Sequence, residues 1–224
     1  MNRKKMILLT SLIIFVPMIV GLILWNKLPE EIPVHFNAAG EPDNYESKAF
    51  AVFFLPMFLW VVHLLTGFIT LADPKKQNIS DKVFLLILCI CPLTGIFGDI
   101  VMYTNALNIP VSVNMIGNLF IGIIFIVVGN YMPKTRQNYT IGIKIPWALN
   151  DAENWNKTHR FAGIVWIICG VVLVINAFLD IIWIVPAAIA VAALLPTAYS
   201  FLLYVRKSKT EKNVQENNGE KNNL

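Results

Sequence analysis

Charge is scarce in this chain: 14% of its 224 residues are charged, against about 25% in an ordinary soluble domain. That deficit argues against a conventional soluble fold, because the charges fall in a few short stretches separated by apolar runs. Cysteine and histidine are scarce too, with three of each. Cys89, Cys91 and Cys169 all lie within apolar runs, and Cys89 and Cys91, two apart, point to different faces of a helix. No disulfide framework or zinc spacing results, so all three read as small buried hydrophobes. His35, His63 and His159 fall in separate regions and no H-E-x-x-H helix exists, so no shared metal is expected. No Ser–His, Cys–His or paired-Asp arrangement falls at one depth, which leaves an intramembrane enzyme without its parts. No catalytic residue, no cofactor and no direct nucleic-acid contact is therefore expected.

What the chain has is hydrophobicity: 56% of its residues are apolar and its mean hydropathy is +0.61. A bilayer core of roughly 30 Å needs about 20 helical residues. Apolar segments near residues 6–25, 49–71, 83–105, 112–132, 161–179 and 182–205 meet that need. Arg3-Lys4-Lys5 resembles the start of a signal peptide, but the following run is too long and Trp25-Asn26-Lys27 offers no small-x-small cleavage site. It reads as an uncleaved first helix. Asp180 and its neighbours alone separate the last two segments, which fits a tight helical hairpin or a re-entrant pair. The positive-inside rule decides between them. With six crossings and the N-terminus inside, all but Lys27 and Lys48 of the 18 basic residues are cytoplasmic. Five crossings would strand the basic tail outside. The expected fold is all-α and integral to the membrane: six transmembrane helices in the lipid bilayer, N-terminus and C-terminus both cytoplasmic, in a multi-pass plasma-membrane protein.

The exterior segments then carry Glu30, Glu31, Glu41, Asp43, Glu46 and Asp180 against two lysines. Such a rim attracts cations or cationic peptides; equally, short exterior loops lack Lys and Arg because topology demands it. The tail after Arg206, rich in Lys, Asn, Glu and Ser without apolar periodicity, reads as disordered.

Ionisable residues within a span are functional candidates, and His63 and Asp99 stand out. Counted from the outer ends of their helices they lie roughly 21 Å and 9 Å deep at ~1.5 Å per residue, too far apart in depth to pair. Each is expected to meet polar groups at its own level, drawn from Asn105, Asn114, Asn118, Thr66 and Asn176. A proton or ion relay and structural helix–helix hydrogen bonding both stand as readings. Pro92 with Gly95 and Gly98 marks the third helix as the one to kink. The alanines of 187–193 suggest close packing of the sixth.

Two loops hold more information. In the exterior loop 26–48, Pro29 and Pro33 prevent helix and favour extended chain, and Asn37 to Asp43, centred on Gly40, reads as a turn just after His35 and Phe36. In the cytoplasmic loop 133–160, Tyr139, Ile141, Ile143 and Ile145 alternate with Thr140, Gly142 and Lys144, the period of a short extended segment. Asn150 and Glu153 have capping-box spacing, so a helix is expected to start there, with Trp155 and His159 one turn apart. Trp147 and Trp155 suit headgroup depth. The loop is read either as an anchor that sets helix tilt or as a docking surface for a cytoplasmic partner.

The pattern Leu28-Pro29, Ile32-Pro33-x-His35-Phe36, Gly40-x-x-Asp43 and Lys48 resembles the N-terminal domain of unknown function of SdpI-type proteins. The stretch Gly129-Asn130, Pro133-Lys134, Asn138, Gly142-Ile143-Lys144-x-Pro146-Trp147 and Trp155-x-x-Thr158-His159-Arg160-x-x-Gly163 is similar to that family's C-terminal signature. Lys144 stands where the family usually carries Arg, losing bidentate geometry, and Ala148 where Thr is common. The resemblance implies an N-terminal domain over residues 1–72, an SdpI-like domain over 73–205 and a basic/polar tail over 206–224. It implies immunity to a secreted toxin peptide and, in the best-known type, sequestration of a cytoplasmic transcriptional repressor at the membrane. The exterior motif residues would then contact the toxin and the cytoplasmic ones the partner. The alternative is a small transporter or ion-coupled permease using His63 and Asp99, although residues 1–105 and 112–205 show no inverted repeat.

Overall fold

The structure is a computed structural model; it describes residues 2–221, with side chains through residue 213. Six helices long and apolar enough to cross a membrane occupy Arg3–Ile23, Phe50–Ala72, Asp81–Ala106, Val113–Lys134, Ala152–Leu179 and Ile184–Asn213. Their outward faces carry exposed Leu, Ile, Val and Phe side chains, as lipid-facing surfaces do.

The first crossing is α1 (Arg3–Ile14) followed by α2 (Val16–Ile23), broken at Phe15. Pro17 accounts for the break, since it has no N–H for a carbonyl one turn back. The second, α3 (Leu55–Ala72), is entered through a π turn at Phe50–Phe54, just before Pro56. Then come α4 (Asp81–Ala106), α5 (Val113–Tyr131), the single turn α6 (Pro146–Leu149), α7 (Ala152–Leu179) and α8 (Ile184–Lys221). The third crossing, α4, is one unbroken helix through Pro92.

Three local expectations need correcting. The cap of α7 is Asp151 rather than Asn150: its Oδ1 accepts the Glu153 and Asn154 amides at 2.8 and 3.2 Å. The alternating stretch 139–145 forms no strand, because the amides of Tyr139, Thr140, Ile141 and Ile143 go to the side chains of Asp73, Asn138 and His159 instead of a partner strand. The tail is helical from 206 to 221, since Lys and Glu favour helix and extending an existing helix needs no new nucleus. Residues 222–224 of that tail lie outside the described residues.

The loop 26–48 is a β-hairpin. β1 (Glu31–Phe36) pairs antiparallel with β2 (Pro42–Ser47), with irregular register around His35. Asn37 makes the turn: its Oδ1 accepts the Ala39 and Glu41 amides, and Gly40 takes a positive φ of 79°. Ile32, fully buried, anchors the hairpin on Ala51, Val52, Met102 and Tyr103.

The helices form two lobes. Helices α1 to α4 make one, with Met6, Ile7, Phe84 and Leu88 at its core. Helices α5, α7 and α8 make the other, where Ala188 and Ala192, two of the expected small residues, pack on Val165, Cys169 and Leu173. Helices α5 and α7 touch through two glycine pairs. A Cβ on Gly170 would lie 2.6 Å from the Gly122 carbonyl oxygen, and one on Gly163 2.7 Å from that of Gly129. Without side chains at these four positions, the backbones meet directly.

Candidate functional site: a cleft between the lobes

Between the lobes, beneath the hairpin, lies a cavity of about 830 Å³. One wall is α3 and α4, the other is α5 with the α7–α8 turn, and Val34 to Ala38 of the hairpin form its roof. Its lining is largely apolar, with a few polar groups converging on it: His35, Asn37, Asp99, Asn114, Asn118, Asn176 and Asp180. An apolar cavity of ~300–1,000 Å³ with a few placed polar groups is the usual form of a ligand site.

The second lobe's polar groups are tied down. Asn176 holds the α7–α8 turn: its Nδ2 donates to the Ile181 carbonyl and to Asn118 Oδ1, while its Oδ1 accepts the Ile181 amide, all at 3.0–3.2 Å. Asp180 caps α7 in the left-handed region at φ 51° and accepts from Asn114 Nδ2 at 3.0 Å. The hairpin tip rests on this group, since a Cβ on Gly40 would lie 2.9 Å from Asn114 Oδ1. The hairpin therefore joins both lobes over the cleft.

Asp99, on α4, differs. It is 6% exposed, and its Oδ1 has no hydrogen-bond partner among the described residues. His63 is elsewhere, bordering neither described cavity. Thr10 gives its one proton to the Met6 carbonyl at 2.7 Å, so the His63 Nε2–H donates to Thr10 Oγ1 at 3.0 Å. His63 and Asp99 are thus apart, as depth implied. The partner of His63, Thr10 on the first crossing, was missed because sequence does not reveal which helices adjoin. The polar residues expected beside His63 or Asp99 bond elsewhere: Asn118 with Asn176, Asn114 with Asp180, and Thr66 and Asn105 with carbonyls of their own helices.

On the hairpin, His35 Nδ1 and Asp43 Oδ1 pair at 2.5 Å on the exposed side, and Phe36 with His35 lines the cleft. Pro29 is exposed and Pro33 buried. Lys48 is no free rim cation. Its buried ammonium donates to the Trp25 and Leu28 carbonyls and to Glu30 Oε1, and lies over the Trp25 ring.

At the opposite face, the loop 133–160 is stitched together. Asn138, fully buried, accepts the Thr140 and Ile141 amides and donates to the Arg136 and Ile141 carbonyls. Trp155 does not face outward: it is fully buried, and its indole donates to the Thr135 carbonyl at 2.8 Å. His159 stacks on it with centroids 4.0 Å apart. Because His159 Nε2 accepts the Ile143 amide at 3.0 Å, the proton sits on Nδ1, which donates to the Trp155 carbonyl at 2.8 Å. Gly142, at φ 114°, abuts the Nε2 edge of that imidazole, where a Cβ would clash. Thr158 is buried and donates to Asn154 Oδ1. Trp147 packs on Phe201 and Tyr204 of α8. These motif residues therefore face inward and build the loop; Asn130, Pro133, Lys134, Lys144, Pro146 and Arg160 remain on its surface.

Asp73, which the motifs overlook, clasps this loop to the first lobe. Its Oδ2 accepts the Tyr139 amide and the Thr140 hydroxyl, and its Oδ1 the Lys75 amide. Burial pushes this carboxyl up, but those hydrogen bonds outweigh it and hold it below the usual carboxylate range.

Residues 134–200 match the SdpI/YfhL protein family, and residues 12–59 match a domain of unknown function, DUF1648. Over 204 residues the chain is 27% identical to the immunity protein SdpI of Bacillus subtilis (strain 168), covering 88% of this chain and 95% of that protein. No solved structure matches it. Both modules are present in order: the chain carries an SdpI/YfhL-type segment behind a DUF1648-type one, and its six crossings make it a multi-pass plasma-membrane protein.

Proposed function

We propose that the chain is an immunity protein of the plasma membrane that protects its cell against a secreted toxin peptide, with the hairpin outside and both termini in the cytoplasm. The observation that carries this reading is the cleft itself. It opens between the two lobes under an acidic hairpin, on the face where a secreted peptide arrives, and it matches in size an apolar ligand site. The relationship to the Bacillus subtilis immunity protein along nearly its whole length supports the same reading. Basic residues concentrate at the other face, as positive-inside topology requires.

Signalling to a cytoplasmic repressor is the second part of the proposal. The cations available for it are the exposed Lys134, Lys144 and Arg160, since Asn138, Trp155, Thr158 and His159 of the signature are turned inward. Coupling the two faces requires toxin to bind two arrangements of the lobes with different affinity. Transport through a joint His63–Asp99 relay has less support, because Thr10 engages His63 away from the cleft.

The test is survival. A sensitive bacterial strain expressing the chain is challenged with the secreted peptide against which the relative gives immunity. Protection is expected, and it is expected to vanish on deletion of residues 29–43. Unprotected cells, with the protein present in the membrane, sink the immunity reading; protection that survives the deletion removes the hairpin from it.

A further inference from the structure

Asp99 is a buried carboxyl whose Oδ1 has no hydrogen-bond partner among the described residues. A buried charged group without a partner is costly, and within a membrane span it marks a ligand or ion path. Its position is specific. Asp99 borders both the cleft and a second, smaller cavity between α2 and α4, which is walled by Val16, Val20, Leu24, Ile96, Ile100 and other apolar residues. One helical turn along, the buried Tyr103 hydroxyl stands close enough to interact with Asp99, although it makes no well-formed hydrogen bond among the described residues.

The charge bordering these spaces is of one sign. Asp99 and Asp180 line the cleft, no Lys or Arg lines either cavity, and the one histidine, His35, is paired with Asp43. An occupant complementary to this site is apolar along most of its surface and carries one cation. A single carboxylate is a poor cage for a divalent metal, which takes several oxygen ligands. It suits an ammonium or guanidinium group, which an acidic entrance would also steer inward.

We propose that the cleft binds a segment of a cationic amphipathic peptide, one Lys or Arg side chain reaching the Asp99 carboxylate and its apolar neighbours packing on α3 and α4. The peptide as occupant rests on the immunity reading above; the placing of the cation on Asp99 rests on the cleft alone. A peptide is favoured over a lipid because the cleft lies beneath the hairpin, whose Glu31, Glu41 and Glu46 make no ion pair among the described residues and so remain to attract an arriving cation.

The test uses the full chain in phosphatidylcholine nanodiscs and a pair of labelled synthetic amphipathic peptides, one with a central Lys and its twin with norleucine there. The wild type is expected to bind the Lys peptide at least about tenfold more tightly than the twin. Asp99→Asn is expected to lose that preference while still binding the twin as the wild type does, which shows that the variant is folded. A preference that survives in Asp99→Asn, or no binding of either peptide to the wild type, overturns the proposal. So does loss of the wild-type preference in nanodiscs containing phosphatidylethanolamine, because a lipid amine then owns the site. Survival under toxin distinguishes the two claims: unprotected wild-type cells sink the immunity reading, while protected cells with an unchanged preference in Asp99→Asn sink this site alone.

Discussion

Gly122 of α5 and Gly170 of α7 face one another so closely that a methyl group on Gly170 would stand 2.6 Å from the Gly122 carbonyl oxygen. The second lobe is held together by backbone contact there, and Gly129 with Gly163 repeats the arrangement two turns away.

Gly170→Ala is therefore expected to destabilise the protein by about 1–3 kcal/mol through overpacking. Gly117→Ala, on the same helix as Gly122 but with nothing within 4 Å of its Cβ, is the matched control and is expected to be neutral or slightly stabilising. Thermal unfolding in detergent micelles compares them. Equal behaviour of the two variants would show that α5 and α7 pack in some other way.

The Asp73 clasp gives a pH dependence with a definite sign. Its carboxyl titrates below the ordinary carboxylate range when folded, so its contribution is fully present at neutral pH. That contribution is lost as pH falls through the depressed folded value. Asp73→Ala, which leaves the Tyr139 amide and Thr140 hydroxyl without their acceptor, is expected to cost about 1–3 kcal/mol and to expose residues 136–141 to protease at neutral pH. Equal cleavage of wild type and variant would remove the clasp.

Lys48 is expected to matter for structure before charge. Lys48→Met keeps much of the stem packing but strips three acceptors of their donor, and the hairpin should loosen, read as faster amide exchange in β1 and β2. Unchanged exchange would mean that Ile32 alone holds the hairpin.

Orientation has a direct readout. Single cysteines at Asp43 and Lys144, in a chain with Cys89, Cys91 and Cys169 replaced by Ala, are treated with a membrane-impermeant maleimide on intact cells. Asp43→Cys is expected to label and Lys144→Cys to stay protected until the cells are lysed. The reverse pattern inverts the topology.

The sequence carried the crossings plainly, because a run of about 20 apolar residues has few other homes. It carried the hairpin in part: Pro29, Pro33 and Gly40 spoke for extension and a turn, yet Glu31 to Ser47 lacks the clean apolar alternation that announces paired strands. It marked Gly129 and Gly163 only as motif positions and was silent on Gly122 and Gly170, since a glycine in an apolar run becomes a contact only when its neighbouring helix is known. For the same reason the loop motif misled. Asn138, Trp155 and His159 look like surface chemistry in one dimension, and only the folded chain shows them spent on each other and on local amides. Asp99 was legible as an oddity; the cavities that it borders were not.

The hairpin tip on Asn114 and the Asp73 clasp fasten the lobes together at opposite faces of the membrane. A body pinned at both ends cannot open like a clam. Whatever enters between the lobes must bow the helices outward at mid-depth or pull one pin loose, so occupancy of the cleft is felt as tension at two loops some thirty residues and more away in sequence from Asp99 in either direction, or not at all.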